Sequence, residues 1–189
     1  MDYKDLVLKY GNGLMSKTQY ESIAETLQPL CPCNLLVFGL GEDSNLWHNL
    51  NMDGNTVFLE DDEGWISKFK DYSFNVQHVQ YHTYVKDFWP PDPTKINEES
   101  IKLDLPQTIL DKKWDFIIVD APLGHQPPRP FNGPGRVSSI YTASLLIKEN
   151  GIVVIDDYKR PVEKTFSNFY FGTDNILKTV EGKVTIFKT

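Results

Sequence analysis

Cysteine is nearly absent. The 189 residues contain two, Cys31 and Cys33, on either side of Pro32. They are too close together for an ordinary structural disulfide and too few for a zinc set, so free thiols in a reducing compartment are expected. Positive charge is also in short supply: 19 Lys and Arg stand against 26 Asp and Glu, a formal net charge of -7. That argues against broad binding to nucleic acid or to an anionic membrane, both of which need a basic face, and leaves room for a local basic pocket. Long apolar runs are missing, and nothing approaches the ~18 consecutive apolar residues of a membrane span. The opening MDYKDLVLKYGNG lacks the basic-then-apolar order of a secretory signal. No internal repeat or linker breaks the chain. These absences leave one domain over residues 1–189, with a weakly patterned loose arm at about residues 1–17, in a soluble protein expected in the cytoplasm. Oligomeric state is not encoded in any pattern of this kind.

The most informative stretch that is present is NLLVFGLGEDSNLW, residues 34–47. Leu35 to Phe38 form a continuous apolar run, as in a strand covered on both faces of a parallel sheet. Gly39 and Gly41 follow, where the chain must turn and a ligand can approach the backbone. Asp43 or Ser44 can cap the helix that comes next. Before this unit, Tyr20, Ile23, Ala24, Leu27 and Leu30 have helical spacing, ended by Pro29 and Pro32. After it, Thr56 to Leu59, Phe74 to Tyr81, Trp114 to Val119 and Ile152 to Ile155 read as strands. Residues 86–113 read as a long surface connection. A helix is expected from Val137 through Ile147, ended by Gly151, and another from Pro161. Asn175–Val180 and Lys183–Lys188, joined by Glu181-Gly182, read as a hairpin. The fold class is therefore α/β: a doubly wound, Rossmann-like sheet of about seven strands with a terminal antiparallel hairpin. Glu60, Asp120 and Asp156-Asp157 all follow strand C-termini, the edge at which such sheets bind ligands.

A dinucleotide fingerprint would want a third small residue where Ser44 stands, and Glu42 and Asp43 would repel a pyrophosphate. A cationic ligand without phosphate, such as S-adenosylmethionine, suits them better. Glu60, at the end of the second strand, stands where an acid for a ribose diol is wanted. The terminal hairpin is also a feature of the class I methyltransferase fold.

Five stretches carry a more specific signal: PCNLLVFGLGEDSNLW, TVFLEDDEGWI, WDFIIVDAP, GPGRVSSIYTA and DDYKRPVEKTFS. In this order they resemble motifs of the plant glucuronoxylan 4-O-methyltransferase family, over about residues 18–170. The resemblance implies a methyltransferase that uses S-adenosylmethionine to methylate a sugar hydroxyl, at O4 of glucuronic acid in that family. By motif, Gly39, Gly41, Asp43, Glu60, Asp61 and Asp120 would hold the donor, and Arg136 would lie at the acceptor mouth. The departures fall on the acceptor side. The plant motif VDAPRGY is VDAPLGH here, so Leu123 replaces an arginine and His125 an aromatic residue. The plant HDV is Asp156-Asp157-Tyr158. The plant members also carry a membrane anchor, which this sequence does not show.

A sugar hydroxyl is a poor nucleophile, and two ways to activate it are open. His125 or Asp120 could take its proton. Alternatively, Asp120, Asp156 and Asp157 could gather a divalent cation (magnesium, manganese or cobalt), with Asp157 facing the reaction, as in catechol-type O-methyltransferases. Arg129, Arg136 and Arg160 are candidates for an acidic sugar's carboxylate, and Trp89 for an acceptor-side aromatic. Trp47, Trp65 and Trp114 read as core. The expected partner is a sugar or glycan acceptor, with neither nucleic acid nor membrane. Two alternatives stay open: a catechol-type enzyme for small hydroxylated molecules, and a cofactor-binding module without turnover.

Overall fold

The computed structural model describes residues 2–124 and 133–189. The chain runs α1 (Tyr3–Tyr10), α2 (Lys17–Leu27), β1 (Asn34–Phe38), α3 (Ser44–Leu50), β2 (Asn55–Glu60), α4 (Glu63–Lys68), β3 (Asn75–His78), the short α5 (Glu98–Ile101) and α6 (Gln107–Leu110), β4 (Trp114–Val119), α7 (Val137–Leu146), β5 (Ile147–Ile155), α8 (Pro161–Phe171), β6 (Ile176–Val180) and β7 (Val184–Lys188). Seven strands form one sheet in the order β3-β2-β1-β4-β5-β7-β6. The first five run parallel, and β7 pairs antiparallel with both β5 and β6. This is the predicted doubly wound sheet with its terminal hairpin.

Burial on both faces explains the unbroken apolar strands. Leu36, Phe38, Val57 and Leu59 pack on one face with Ile101, Ile109, Ile140 and Phe166. Leu35, Val37 and Phe58 pack on the other with Leu6, Tyr20, Ile23, Leu46 and Trp47. Helix α2 starts after Ser16 because of a reciprocal cap: the Gln19 N–H donates to Ser16 Oγ and the Ser16 N–H donates to Gln19 Oε1 at 2.9 Å. No helix among the described residues is long and apolar enough to cross a membrane.

The structure departs from the sequence expectations in five places. Residues 3–10, expected within a loose arm, form α1, with Asp2 as its N-cap and Leu6 and Val7 buried. Residues 86–113 are no mere surface connection: Phe88, Ile101, Leu103, Leu105 and Ile109 seal one face of the core. Helix α7 stops at Leu146, and β5 begins at once at Ile147, paired with Trp114 before a bulge. Asn150, in the left-handed region at φ 60°, belongs to that irregular start. Trp65 is partly exposed and stacks beside Phe69 with Lys68 over its ring, whereas Trp47 and Trp114 are core. Neither candidate capped α3: Asp43 sits at the N-cap position without a side-chain cap, and Ser44 Oγ accepts the Gly41 N–H at 2.9 Å.

Candidate active site at the carboxyl edge of the sheet

Hydrogen bonds continue past the strand ends and bring the predicted residues to one edge. The Gly39 N–H donates to Leu59 O at 2.8 Å, the Asp120 N–H to Phe38 O at 3.0 Å and the Asp156 N–H to Val119 O at 3.0 Å. Gly39 has a φ of +117° and Ala121 Cβ would lie 3.4 Å from a Cβ built on it. This turn is thus both left-handed and closely approached, which only glycine meets without strain. Gly39→Ala is expected to destabilise the fold by about 1–3 kcal/mol, read by urea denaturation.

Glu60 ends β2 with its carboxylate turned back on the chain. Its Oε2 accepts the Leu40 N–H at 2.7 Å, and its Oε1 accepts the N–H groups of Asp61 and Asp62 at 3.0 and 2.8 Å. Burial raises its pKa against these bonds, which lower it. Glu60 therefore braces the glycine turn. Asp61, half-buried beside it, is also raised, chiefly by burial, and keeps its side chain on the same edge.

On the other side of the turn the three aspartates converge. Asp120, Asp156 and Asp157 each place an oxygen within 4.8 Å of the others. At their centre lies Arg136, only 3% exposed. Its Nη2 is 3.1 Å from Asp120 Oδ1 and 3.3 Å from Asp157 Oδ2, and its Nη1 is 3.8 Å from Asp156 Oδ2. Its Nε donates to Pro122 O at 2.7 Å and its Nη1 to Asp156 O at 3.1 Å. Burial would lower the Arg136 pKa, but Asp120, Asp156 and Asp157 more than offset this.

Two further cations complete the cluster. Arg160 Nη2 lies 2.6 Å from Asp157 Oδ2, and its Nη1 donates to Leu123 O at 2.9 Å and sits 3.5 Å from Glu163. Lys183, from the β6–β7 turn, lies 3.7 Å from Asp156 and 4.0 Å from Asp157. Asp157 itself is in the left-handed region at φ 55°, a conformation that marks turns and functional sites in non-glycine residues. Asp120 keeps 36% of its side chain open to the mouth. Even so, burial first and Asp156 second push its carboxyl well above the ordinary range.

Beside the cluster, two segments interlock. Tyr84 bridges to Pro134, the Val85 N–H donates to Gly133 O at 3.1 Å and the Gly135 N–H to Thr83 O at 3.2 Å. Ser138 and Ser139, on α7, bond to Thr83 at 2.9 Å and to Tyr81 at 3.0 Å. Trp89 lies half-exposed on the segment that follows. His125 and Arg129 lie outside the described residues.

The structure thus brings Gly39, Gly41, Asp43, Glu60, Asp61, Asp120, Asp156, Asp157, Arg136 and Arg160 to one edge. It turns Arg136 and Arg160 toward the aspartates, whereas the sequence placed both against an acceptor carboxylate. Sequence reasoning missed Glu163, Lys183, Tyr81 and the two serines. Glu163 was visible within DDYKRPVEKTFS, three residues after Arg160 and so one turn along the helix.

The family model described as IRX15/IRX15L/GXM matches residues 18–187. The chain belongs to this family. Glucuronoxylan 4-O-methyltransferase 3 of Arabidopsis thaliana is 40% identical over 155 residues, covering 72% of this chain and 51% of that protein. Arabinogalactan O-methyltransferase 2 of the same plant is 36% identical, covering 79% of this chain and 59% of its own length. The chain thus spans between half and three-fifths of the curated relatives it matches. Among solved structures, an O-methyltransferase from Bacillus cereus in complex with SAH aligns with a TM-score of 0.56 at 16% identity, over 100% of this chain and 90% of that one. MycE methyltransferase of the mycinamycin biosynthetic pathway, in complex with Mg and SAH, aligns with the same score of 0.56 at 12% identity, over 100% of this chain and 53% of that one. The IRX15/IRX15L/GXM chain therefore has the class I, Rossmann-like methyltransferase fold.

Proposed function

We propose that this family member is an S-adenosylmethionine-dependent O-methyltransferase acting on a sugar hydroxyl of a polysaccharide, the acceptor unit being a uronic acid or its neighbour. The observation that carries the reading is the match to relatives named for methylating two different polysaccharides, glucuronoxylan and arabinogalactan. The common element of those names is a glycan oxygen. The site supports the donor: a bare glycine turn lies between Asp43 and Asp120, two acids that a sulfonium and an ammonium would neutralise.

When bound, S-adenosylmethionine supplies a methyl group on positively charged sulfur, open to in-line attack by an oxygen. The chain's part is largely positioning. Gly39 and Gly41 let the donor lie against the backbone, Glu60 holds that turn in shape, and Glu60 with Asp61 accepts from the ribose diol in this reading. Asp120 faces the mouth where the acceptor hydroxyl must come. His125, two residues after Leu123 in sequence, is the proton acceptor in this reading, and Arg129 the group for an acidic sugar.

The aspartate cluster does not fit a resident divalent cation as built. Its three carboxylates already face three cations, Arg136, Arg160 and Lys183, all within 4.0 Å. A divalent ion would add a double positive charge and force Nη2 of Arg136 off two of its partners. No step is therefore routed through a metal.

Two measurements test the proposal. Calorimetry is expected to show S-adenosylhomocysteine binding at micromolar concentration, about 8 kcal/mol of binding free energy. Methyl transfer from labelled donor is expected to glucuronoxylan or arabinogalactan and not to catechol, with a chelator changing the rate by less than about twofold. Absence of donor binding would sink the enzyme reading; transfer to catechol alone would replace the sugar with a small aromatic acceptor.

A further inference from the structure

Cys31 and Cys33 lie at the amino edge of the sheet, just ahead of β1 and opposite the edge that carries the aspartate cluster. Spacing alone leaves them as two free thiols; the fold turns them on each other. The buried Cys33 thiol donates to the Cys31 sulfur, and the Cys31 thiol donates to Leu27 O at 3.5 Å. That contact holds the Cys31 thiol below its ordinary range, and it joins burial in holding the Cys33 thiol above. A thiol that donates to a neighbouring sulfur presents two soft ligands to one point.

The turn from Asn51 to Asn55 fixes this pair and brings a third sulfur beside it. Asn51 is buried; its Oδ1 accepts the Cys33 N–H at 2.9 Å and its Nδ2 donates to Cys33 O at 3.0 Å. The Asn55 N–H donates to the same carbonyl at 2.9 Å. The turn closes this tightly because residue 54 is glycine: a Cβ there would fall 2.6 Å from Cys33 O. Met52, next to Asn51, lines a cavity of about 300 Å³ whose wall also includes Cys31, Leu6 and Leu50. Met52 is 68% exposed, so its unbranched side chain can turn onto the thiols without repacking the core.

Two thiols in contact and a thioether on the same wall match a soft monovalent cation, which prefers few, polarisable sulfur ligands. Zinc prefers a closed set of thiolate, imidazole or carboxylate ligands, and the cavity wall offers it no histidine among the described residues. We propose that Cys31, Cys33 and Met52 bind a soft monovalent metal ion, copper(I) by its chemistry, at the amino edge of the sheet. The ion replaces the hydrogen bond between the sulfurs: both thiols release their protons to solvent, the ion keeps its oxidation state and no electron is transferred. Bound there, it ties the start of β1 to the turn after α3. The site lies across the sheet from the glycine turn and stands independently of the methyl-transfer reading.

The test uses the full chain, reduced and under argon. Copper(I) is titrated in competition with bathocuproine disulfonate, a chromophoric copper(I) chelator. Silver(I), equally soft and monovalent but redox-inert, is titrated separately. Wild type should hold about one ion of either metal per chain, with a Kd below about 1 nM. Cys31→Ser should weaken binding by about 100-fold or more, and Met52→Leu by about fivefold. Cys31 is half-buried and Met52 exposed, so neither change hollows the core. An excess of zinc of about tenfold should displace neither ion. A wild-type chain that yields all its copper(I) to the chelator overturns the proposal. So does Cys31→Ser binding as tightly as wild type, an unchanged affinity in Met52→Leu, or displacement by zinc.

Discussion

Asp120→Asn is expected to cut methyl transfer about 100-fold or more while leaving the protein at least as stable as before. The two effects have one cause. Asp120 stands at the mouth with its carboxyl held well above the ordinary range by burial and by Asp156. A carboxyl raised in the folded state costs stability wherever it is ionised, because the unfolded chain ionises it more easily. The cost is present above the raised folded value and disappears as pH falls below the unfolded value, near 4. Asparagine keeps the shape, removes that cost and still accepts a hydrogen bond from Arg136, which retains Asp156 and Asp157. On the proposed function, activity falls because the mouth loses the carboxylate that would face the donor and the reacting oxygen. Rates with labelled donor and urea denaturation at neutral pH and near pH 4 check both halves. Activity within about threefold of wild type would remove Asp120 from the chemistry.

Arg136→Met should have the largest effect on stability, a loss of about 3–5 kcal/mol, because breaking a buried ion cluster from one side leaves uncompensated charge. Arg136 is the common partner of three carboxylates and also donates to Pro122 O and Asp156 O. Methionine fills much of the volume and answers none of those acceptors. Asp120, already raised by burial and by Asp156, then loses the arginine that holds its pKa down. By the same sign argument the deficit should shrink as pH is lowered into the ordinary carboxylate range. Urea denaturation of both proteins across that range measures it. A deficit below about 1 kcal/mol at neutral pH would show that Arg160 and Lys183 suffice to hold the acids.

Much of the fold was legible because β1, β2 and β4 are covered on both faces and spell this as unbroken apolar runs. The edge that carries the site was legible for a related reason: the acids at 60, 120 and 156–157 follow those runs directly, and a parallel sheet aligns its strand ends. The start of β5 was not. Lys148, Glu149 and Asn150 are exposed and polar, so they resemble the tail of a helix, and only the pairing of Ile147 with Trp114 makes them strand. Residues 86–113 misled because Pro, Asp and Asn between the apolar residues hide an anchoring series without period. Arg136 was placed at the acceptor mouth because an arginine after Gly-Pro-Gly reads as a loop cation. Its burial depends on partners 16 and 20 residues away in sequence, a relation that spacing does not encode. Tyr20 was visible only as one apolar position in a helical stripe.

The hairpin has a consequence for the order in which a nascent chain becomes competent. Strand β7 lies between β5 and β6, so the second strand of the hairpin is inserted beside β5 and not added at the rim. It is preceded by Lys183, which faces Asp156 and Asp157, and the Tyr158 N–H donates to Lys183 O at 2.8 Å. A ribosome-bound chain holding every acid of the cluster but not yet these residues carries an electrostatic debt at its centre. Docking of β7 beside β5 therefore brings Lys183 to Asp156 and Asp157, so neutralisation of that wall is coupled to completion of the sheet.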